Sequence, residues 1–471
     1  MPPGPPFRRA GRSGGRRRRR ERSPMSHPAQ AVFAPPRTEP SEKMPEVLPS
    51  EGPRVLETET RPAAALVSAV VPDVPEFRTE GFARAGNNAV LHSLREMVAA
   101  GLEFTGVFSI QPIPAFPRGK RLWMPRRTVE LFPGCFTQLL PHLNLPLWKQ
   151  IHLGLSAFFA LLRWAWRNRG RPRVILQYNL TRPPAVFIYL AARLTGSKYA
   201  AMLYDIGTPP VKIDHMFWYR VDDFFARRLV RRLDGRIVIT RAILDDYAPG
   251  AHGLHVDGAV DEAVIPDWPL PAPRDEFVLC LAGSLWELNG VRLLLDAFGR
   301  LDDPALRLEI AGHGALADLV REAARRDARI RYHGLLAHNQ VLELYRRSDV
   351  LLNIRLTQGV GKSYLFASKL LEYLAMGRTV ITTAMAHAAE EYGPFAYVLR
   401  DETPEALAAL IQQIRQTPFA ERQARAEAGR RYMKLNKTWR RQGERMAAYL
   451  SAVARGGPAA AAQLAAEGPL Q

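Results

Sequence analysis

The sequence predicts an α/β protein of two doubly wound domains, each a parallel sheet covered by helices, facing each other across a cleft. Apolar, β-branched runs of five to seven residues recur along the chain, and each is followed by a longer segment of helical period. That alternation is the signature of βα units. The runs fall into two sets, parted by Val264 to Arg274 (VIPDWPLPAPR), where four prolines forbid regular structure.

In the first set the expected strands are Ala65 to Val71, Phe104 to Ile110, Val174 to Tyr178, Tyr199 to Leu203 and Gly235 to Ile239. In the second they are Phe277 to Ala282, Arg307 to Ala311, Ile330 to His333, Val350 to Ile354, Thr379 to Thr383 and Ala396 to Leu399. The expected organisation is therefore an N-terminal domain over 63–263, a linker over 264–274 and a C-terminal domain over 275–418. One closing helix is expected over 419–455 and a disordered tail over 456–471, where the sequence turns to GGPAAAAQLAAEGPLQ. Residues 1–62 hold thirteen of the 38 prolines and few aromatic or β-branched residues, so they are expected to be disordered.

Composition narrows the function. The chain has 471 residues, 47% hydrophobic and 24% charged, enough to bury sizeable cores. Its two cysteines, Cys135 and Cys280, cannot provide a disulfide framework or a cysteine-rich metal site, which suits a reducing, cytoplasmic setting. The net charge is +19. Residues 1–22 carry nine Arg against one Glu, residues 23–62 are slightly acidic, and the body keeps the rest, read here as spread through segments such as Tyr219 to Arg236 and Arg321 to Arg331. The Arg16 to Arg20 run has no nucleic-acid-binding motif or aromatic-basic platform beside it, so no nucleic-acid partner is expected. No run reaches the roughly 18 apolar residues of a membrane span. The nearest is Leu145 to Trp166, which reads first as a core helix and second as an interfacial helix on anionic lipid.

In doubly wound sheets ligands sit beyond the carboxyl ends of the strands, so the strand-to-helix turns carry the chemistry. Ala282-Gly283-Ser284 ends one strand and Asn289-Gly290 opens the next helix. Ala311-Gly312-His313-Gly314 repeats the arrangement one unit later, its glycines allowing backbone to approach a ligand. After Ile354 comes a basic loop with Arg355, Gly359, Gly361 and Lys362, then a helix starting near Ser368 and ending at Gly377. Lys369 and Glu372 share one face of that helix. Cations at its start suit a pyrophosphate, and a carboxylate one turn on can accept ribose hydroxyl hydrogens. A nucleotide diphosphate fits this pattern; a plain surface ion pair is the competing reading.

The stretch Tyr364 to Ile381 (YLFASKLLEYLAMGRTVI) resembles the donor-site motif of the GT-B glycosyltransferases. The likeness is to the retaining family 4 (group 1) type and, within it, a bacterial subgroup reading YSFPSKLxEYxAxGKPVI. Ala282 to Phe298 is similar to that family's GxxxxxKGxxxLLxAF, and Ile310 to Gly314 to its IxGxG. The resemblance implies that Glu372 holds the donor ribose, that Ser368, Lys369 and Arg355 face the phosphates, and that Tyr364 stands where most members place a sugar-contacting glutamate. Ser284 and Asn289 occupy the positions of the family's usual Arg and Lys, so Arg355, Lys362 and Lys369 are expected to supply that charge.

The resemblance further implies a hexosyltransferase using a nucleotide-sugar donor, with retention, in envelope or exopolysaccharide synthesis, acting on a glycan or lipid-linked acceptor at the inner face of the plasma membrane. No resident cofactor or metal is expected, since Asp222-Asp223 and Asp302-Asp303 fall on helix or turn positions. In the N-terminal domain Gly81 to Asn88 resembles the family's Gly-rich loop, and Asn87, Asn88 and Asp205 are the candidate catalytic groups. The rival readings are a non-catalytic nucleotide- or glycan-binding protein on the same scaffold and, more remotely, a sugar-nucleotide epimerase.

Overall fold

The computed structural model describes residues 60–78, 82–146, 148–206, 216–357, 368–385 and 387–468. The expected disorder of 1–59, together with Gly81, Gly207, Gly359, Gly361, Lys362 and Tyr364, lies outside the described residues.

The first sheet is built from β1 (Ala63–Ser68), β2 (Glu103–Ser109), β4 (Arg127–Phe132), β5 (Cys135–Leu139), β7 (Arg173–Tyr178), β8 (Lys198–Leu203), β9 (Gly235–Val238) and β10 (Leu254–His255). A small ribbon of β3 (Trp123–Met124) and β6 (His142–Leu143) stands beside it. The strand order is β10-β9-β8-β7-β1-β2-β5-β4, parallel throughout except for the β4–β5 hairpin. Its helices are α1 (Arg84–Ala99), α2 (Trp148–Arg167), α3 (Pro184–Thr195), α4 (Met216–Arg231) and α5 (Ala242–Tyr247). Every residue of β1 is buried, as expected of a strand covered on both faces. Ala65, Val67 and Ile175 pack on the α2 residues Leu153, Ala157 and Leu161.

The second sheet comprises β11 (Phe277–Ala282), β12 (Leu306–Ala311), β13 (Ile330–Tyr332), β14 (Val350–Asn353), β15 (Thr379–Thr383) and β16 (Tyr397–Leu399). Around it lie α6 (Val291–Phe298), α7 (Ala317–Arg326), α8 (His338–Arg347), α9 (Lys369–Ala375), α10 (Ala388–Glu391) and α11 (Pro404–Gln416). All its pairings are parallel, in the order β13-β12-β11-β14-β15-β16. The order reverses between β11 and β14, and such a switch point opens a crevice at the carboxyl ends of the two strands. Cys280, at the centre of β11, is fully buried and its thiol is pushed up to about 12 by that burial.

Two expectations fail in the C-terminal region. The single closing helix is two, α12 (Phe419–Asn436) and α13 (Trp439–Ala454), because Thr438 leaves helical geometry and caps the second with its hydroxyl, which accepts from the Arg441 amide. The tail expected to be disordered contains α14 (Pro458–Ala466), opened by proline at its first turn, with Ala461 buried against the α13 cluster. The break at Thr438 lets α13 return to the first sheet, where Met446, Leu450 and Val453 share a core with Leu66, Val174 and Leu176. Each such side chain contributes about 1.5–3 kcal/mol of burial.

The first-set expectations also lacked the β3–β6 and β4–β5 pairs. β3 and β6 have two residues each, and the β4–β5 hairpin is exposed or half-buried over most of its length and so lacks a continuous apolar run; its turn is made by Pro133 and Gly134, the latter at φ 79°.

Candidate active site

The crevice at the switch point of the second sheet is a cavity of about 210 Å³. Its wall comes from the carboxyl end of β11 (Gly283, Ser284), the turn before α6 (Asn289), the carboxyl end of β14 (Arg355) and the start of α9 (Ser368, Lys369). Six of the residues expected to bind donor therefore meet in one place. Glu372, one turn further along α9, stands beside it with its carboxylate 3.7 Å from Lys369 Nζ.

Two glycines make this geometry possible. Gly312 has φ 139°, and a Cβ there would fall 1.7 Å from the Gly283 carbonyl oxygen, so the turns after β11 and β12 can touch only through glycine. Gly290 has φ 64°, and a Cβ would fall 2.2 Å from Ile354 Cγ2 at the end of β14. Asn289 does not stand in as a cation: its amide donates to the Ser284 carbonyl and ties the loop to itself.

The positive groups are held from behind. Thr383, at the end of β15, fixes the Arg355 backbone, accepting from its amide at 3.1 Å and donating to its carbonyl at 2.7 Å. Arg355 Nε is buried without a partner among the described residues, and burial lowers the guanidinium's hold on its proton. A half-buried guanidinium whose Nε–H meets no acceptor carries a desolvation cost that a bound anion would relieve. Lys369 lies over the rings of Tyr345 and Tyr373, at 6.0 and 5.7 Å, and Tyr373 donates to the Ala282 carbonyl at 3.0 Å, locking α9 to β11. Burial raises the Tyr373 hydroxyl, so it stays neutral and donating. Ser368 precedes the seven-residue α9 and makes no side-chain cap bond.

The N-terminal candidates divide. Asn87 is buried, accepting from the Val71 amide and donating to the Val71 carbonyl, each at 3.0 Å. Both ends of its amide are occupied in holding the turn after β1, a scaffolding role in place of the catalytic one expected. Asp205 is exposed at the end of β8 and accepts from Asn179 Nδ2 at 2.8 Å. Asn179, which the sequence reading missed, occupies φ 46°, the only non-glycine at positive φ among the described residues. It sits at the end of β7, beside the switch point between β1 and β7, and its side-chain Oδ1 accepts from the backbone amides of both Tyr204 and Asp205. A left-handed residue at a strand end is where functional sites store strain.

Acidic pairs set aside in the sequence are occupied: Asp222 pairs with Arg182, Asp223 with Arg227, and Asp303 with Arg415. Among the described residues His255, His387 and Glu391 are close enough to share a metal ion. Lys437 already brings a cation there, 2.6 Å from Glu391 and 2.9 Å from Asp257.

Residues 276–417 match the family model described as glycosyl transferases group 1. A search of curated proteins found no match. Among solved structures, sucrose-phosphate synthase from Thermosynechococcus elongatus aligns at 16% identity and TM-score 0.55, over 82% of this chain and 97% of that one. A glycosyltransferase from Rickettsia africae aligns at 13% identity and TM-score 0.54, over 87% and 100%. Anabaena HepE in complex with UDP-glucose aligns at 14% identity and TM-score 0.53, over 82% and 98%. The fold is GT-B, and with the matched domain it supports a glycosyltransferase of GT-B type.

Proposed function

We propose that the chain moves a sugar from a nucleotide-diphosphate donor, UDP- or GDP-linked, to a glycan or lipid-linked acceptor, with retention. The reaction breaks the bond between the anomeric carbon and the diphosphate oxygen and forms one to an acceptor hydroxyl, whose proton passes to a base. The observation that carries the reading is the half-buried Arg355 guanidinium, its Nε without a partner among the described residues, lining one cavity with Lys369 at the second sheet's switch point. Together they would neutralise the charge that grows on the departing diphosphate, the largest electrostatic demand of the step. Glu372, one turn on, would receive the ribose hydroxyls, and Asp205, which accepts from Asn179, is the candidate group on the acceptor side.

HepE's complex with UDP-glucose makes uridine nucleotides the first to test. A hexosyl donor, an envelope or exopolysaccharide product and a cytoplasmic, inner-leaflet location belong to the same reading. No described helix is long and apolar enough to cross a membrane, so a lipid-linked acceptor would be met at the surface. Incubation with UDP- or GDP-sugars and a bacterial membrane extract should release the matching nucleoside diphosphate. Donor binding with no release would instead favour a non-catalytic binding protein on the same scaffold.

A further inference from the structure

The body's positive charge is not spread. Between residues 104 and 204 there are fourteen Lys and Arg and a single acid, Glu130, while the rest of the chain beyond residue 62 is balanced. The same hundred residues contribute eleven of the eighteen large apolar side chains that stand exposed among the described residues. Two independent measures, charge and exposed apolar surface, thus select one part of the N-terminal domain.

The side chains are ordered. On α2, Trp148, Leu155, Phe159 and Trp166 are spaced by seven, four and seven residues, which puts them on one line along the helix. Phe159 and Trp166 are each 64% exposed. On α3, which packs against α2, Val186, Leu190 and Leu194 repeat every four residues, and Leu194 is 72% exposed. Arg163 and Arg167 flank the α2 stripe, and with Arg126 from the loop before β4 they line a cavity of about 240 Å³. No carboxylate lines it, and none pairs with these three arginines among the described residues. Thr105, Thr128 and Gln138 complete its polar wall; Gln138 accepts from Arg126 at 2.7 Å, and Thr105 accepts from the Trp164 indole at 2.8 Å, leaving its own hydroxyl proton to donate.

We propose that this surface docks on an anionic bilayer, with the α2 and α3 stripes seated in the interface and a lipid phosphate held by Arg126, Arg163 and Arg167. An apolar line edged by arginines matches a headgroup layer, where aromatic side chains reach the acyl boundary and cations meet phosphates. A neutral protein partner would leave the arginines unanswered, and a nucleic acid would leave the apolar stripes in water. The inference deepens the inner-leaflet reading above, and its assay is independent of donor binding.

The test is flotation of the full chain with vesicles of phosphatidylcholine alone or with phosphatidylglycerol. All proteins retain Arg16 to Arg20, so differences report the α2 surface. The wild type should float only with anionic vesicles. Changing Arg126, Arg163 and Arg167 together to Glu should cut partitioning by about a hundredfold at low salt. Phe159→Ser with Trp166→Ser should abolish the fraction that resists a salt wash. Unchanged thermal unfolding and UDP affinity in both variants would show that the fold and donor site survive. Equal flotation of wild type and both variants would overturn the proposal, as would a wild-type dimer that does not float and that the Phe159 and Trp166 changes split into monomers.

Discussion

Lys437 Nζ lies 2.9 Å from Asp257 Oδ1, and both side chains are almost wholly buried, at 7% and 0% exposure. Asp257 follows β10 of the first sheet, and it also accepts from His387 and Tyr392, which belong to the second domain. Lys437 occupies the break between α12 and α13. One ion pair therefore joins both domains and the segment that crosses back between them. Burial alone would raise the Asp257 carboxyl; Lys437 and the His387 hydrogen bond override it and hold the carboxyl well below the ordinary range.

Removing one partner of a buried pair strands the other charge. Lys437→Met is expected to destabilise the protein by about 3–5 kcal/mol. A second change, Asp257→Asn, should recover part of that loss. Chemical denaturation of the two variants checks both statements, and a Lys437→Met midpoint equal to wild type would refute the role given to the pair.

Burial lowers His255 to about 4, and its Nε2 donates to the Ile239 carbonyl at 3.1 Å. In the unfolded chain the same imidazole takes up its proton near the ordinary pKa of about 6.5. Between these values the unfolded state binds more protons, so this contribution to stability is complete above about pH 6.5 and is lost as pH falls towards 4. The depressed Asp257 carboxyl adds a further loss in stronger acid. Melting temperatures measured from pH 7.5 to 5 should fall, and His255→Gln should flatten that slope.

Gly312→Ala would place a methyl group against the Gly283 carbonyl oxygen. Because the turn after β12 packs against Gly283, which lines the cavity, this substitution should displace that wall and lower both stability and nucleotide affinity. Gly134→Ala is the comparison: it also has positive φ, but a Cβ there meets nothing within 4 Å, so only backbone strain is added. Calorimetric binding of UDP to both variants separates the two effects.

Asp205→Asn keeps an acceptor for Asn179 and removes the charge. If Asp205 handles the acceptor proton, transfer should drop by about a hundredfold or more while UDP affinity stays unchanged. Loss of UDP binding, or unchanged turnover, would move the catalytic role elsewhere.

The six strands of the second sheet and the five central strands of the first could be read because each is an apolar run bounded by turn residues, and the α9 motif because its donors lie within one continuous stretch. What escaped was non-local or weakly patterned. Asn87 looked chemically available until its amide was seen pinned on Val71, sixteen residues away. The Lys437–Asp257 pair spans 180 residues, which periodicity cannot register. The break before α13 did leave a trace, Thr438 three residues ahead of Arg441, but the helical period on either side masked it. Asn179 gave no sign at all, since a left-handed asparagine is a property of the backbone around it.

The central claim is that Arg355 and Lys369 hold a diphosphate at the second sheet's switch point. Isothermal calorimetry of UDP and GDP against wild type, Arg355→Ala and Lys369→Ala tests it most directly. A bond to a charged group is worth about 1.5–3 kcal/mol, so each variant should bind the preferred nucleotide roughly ten- to a hundredfold more weakly. Wild-type affinity in both variants would contradict it.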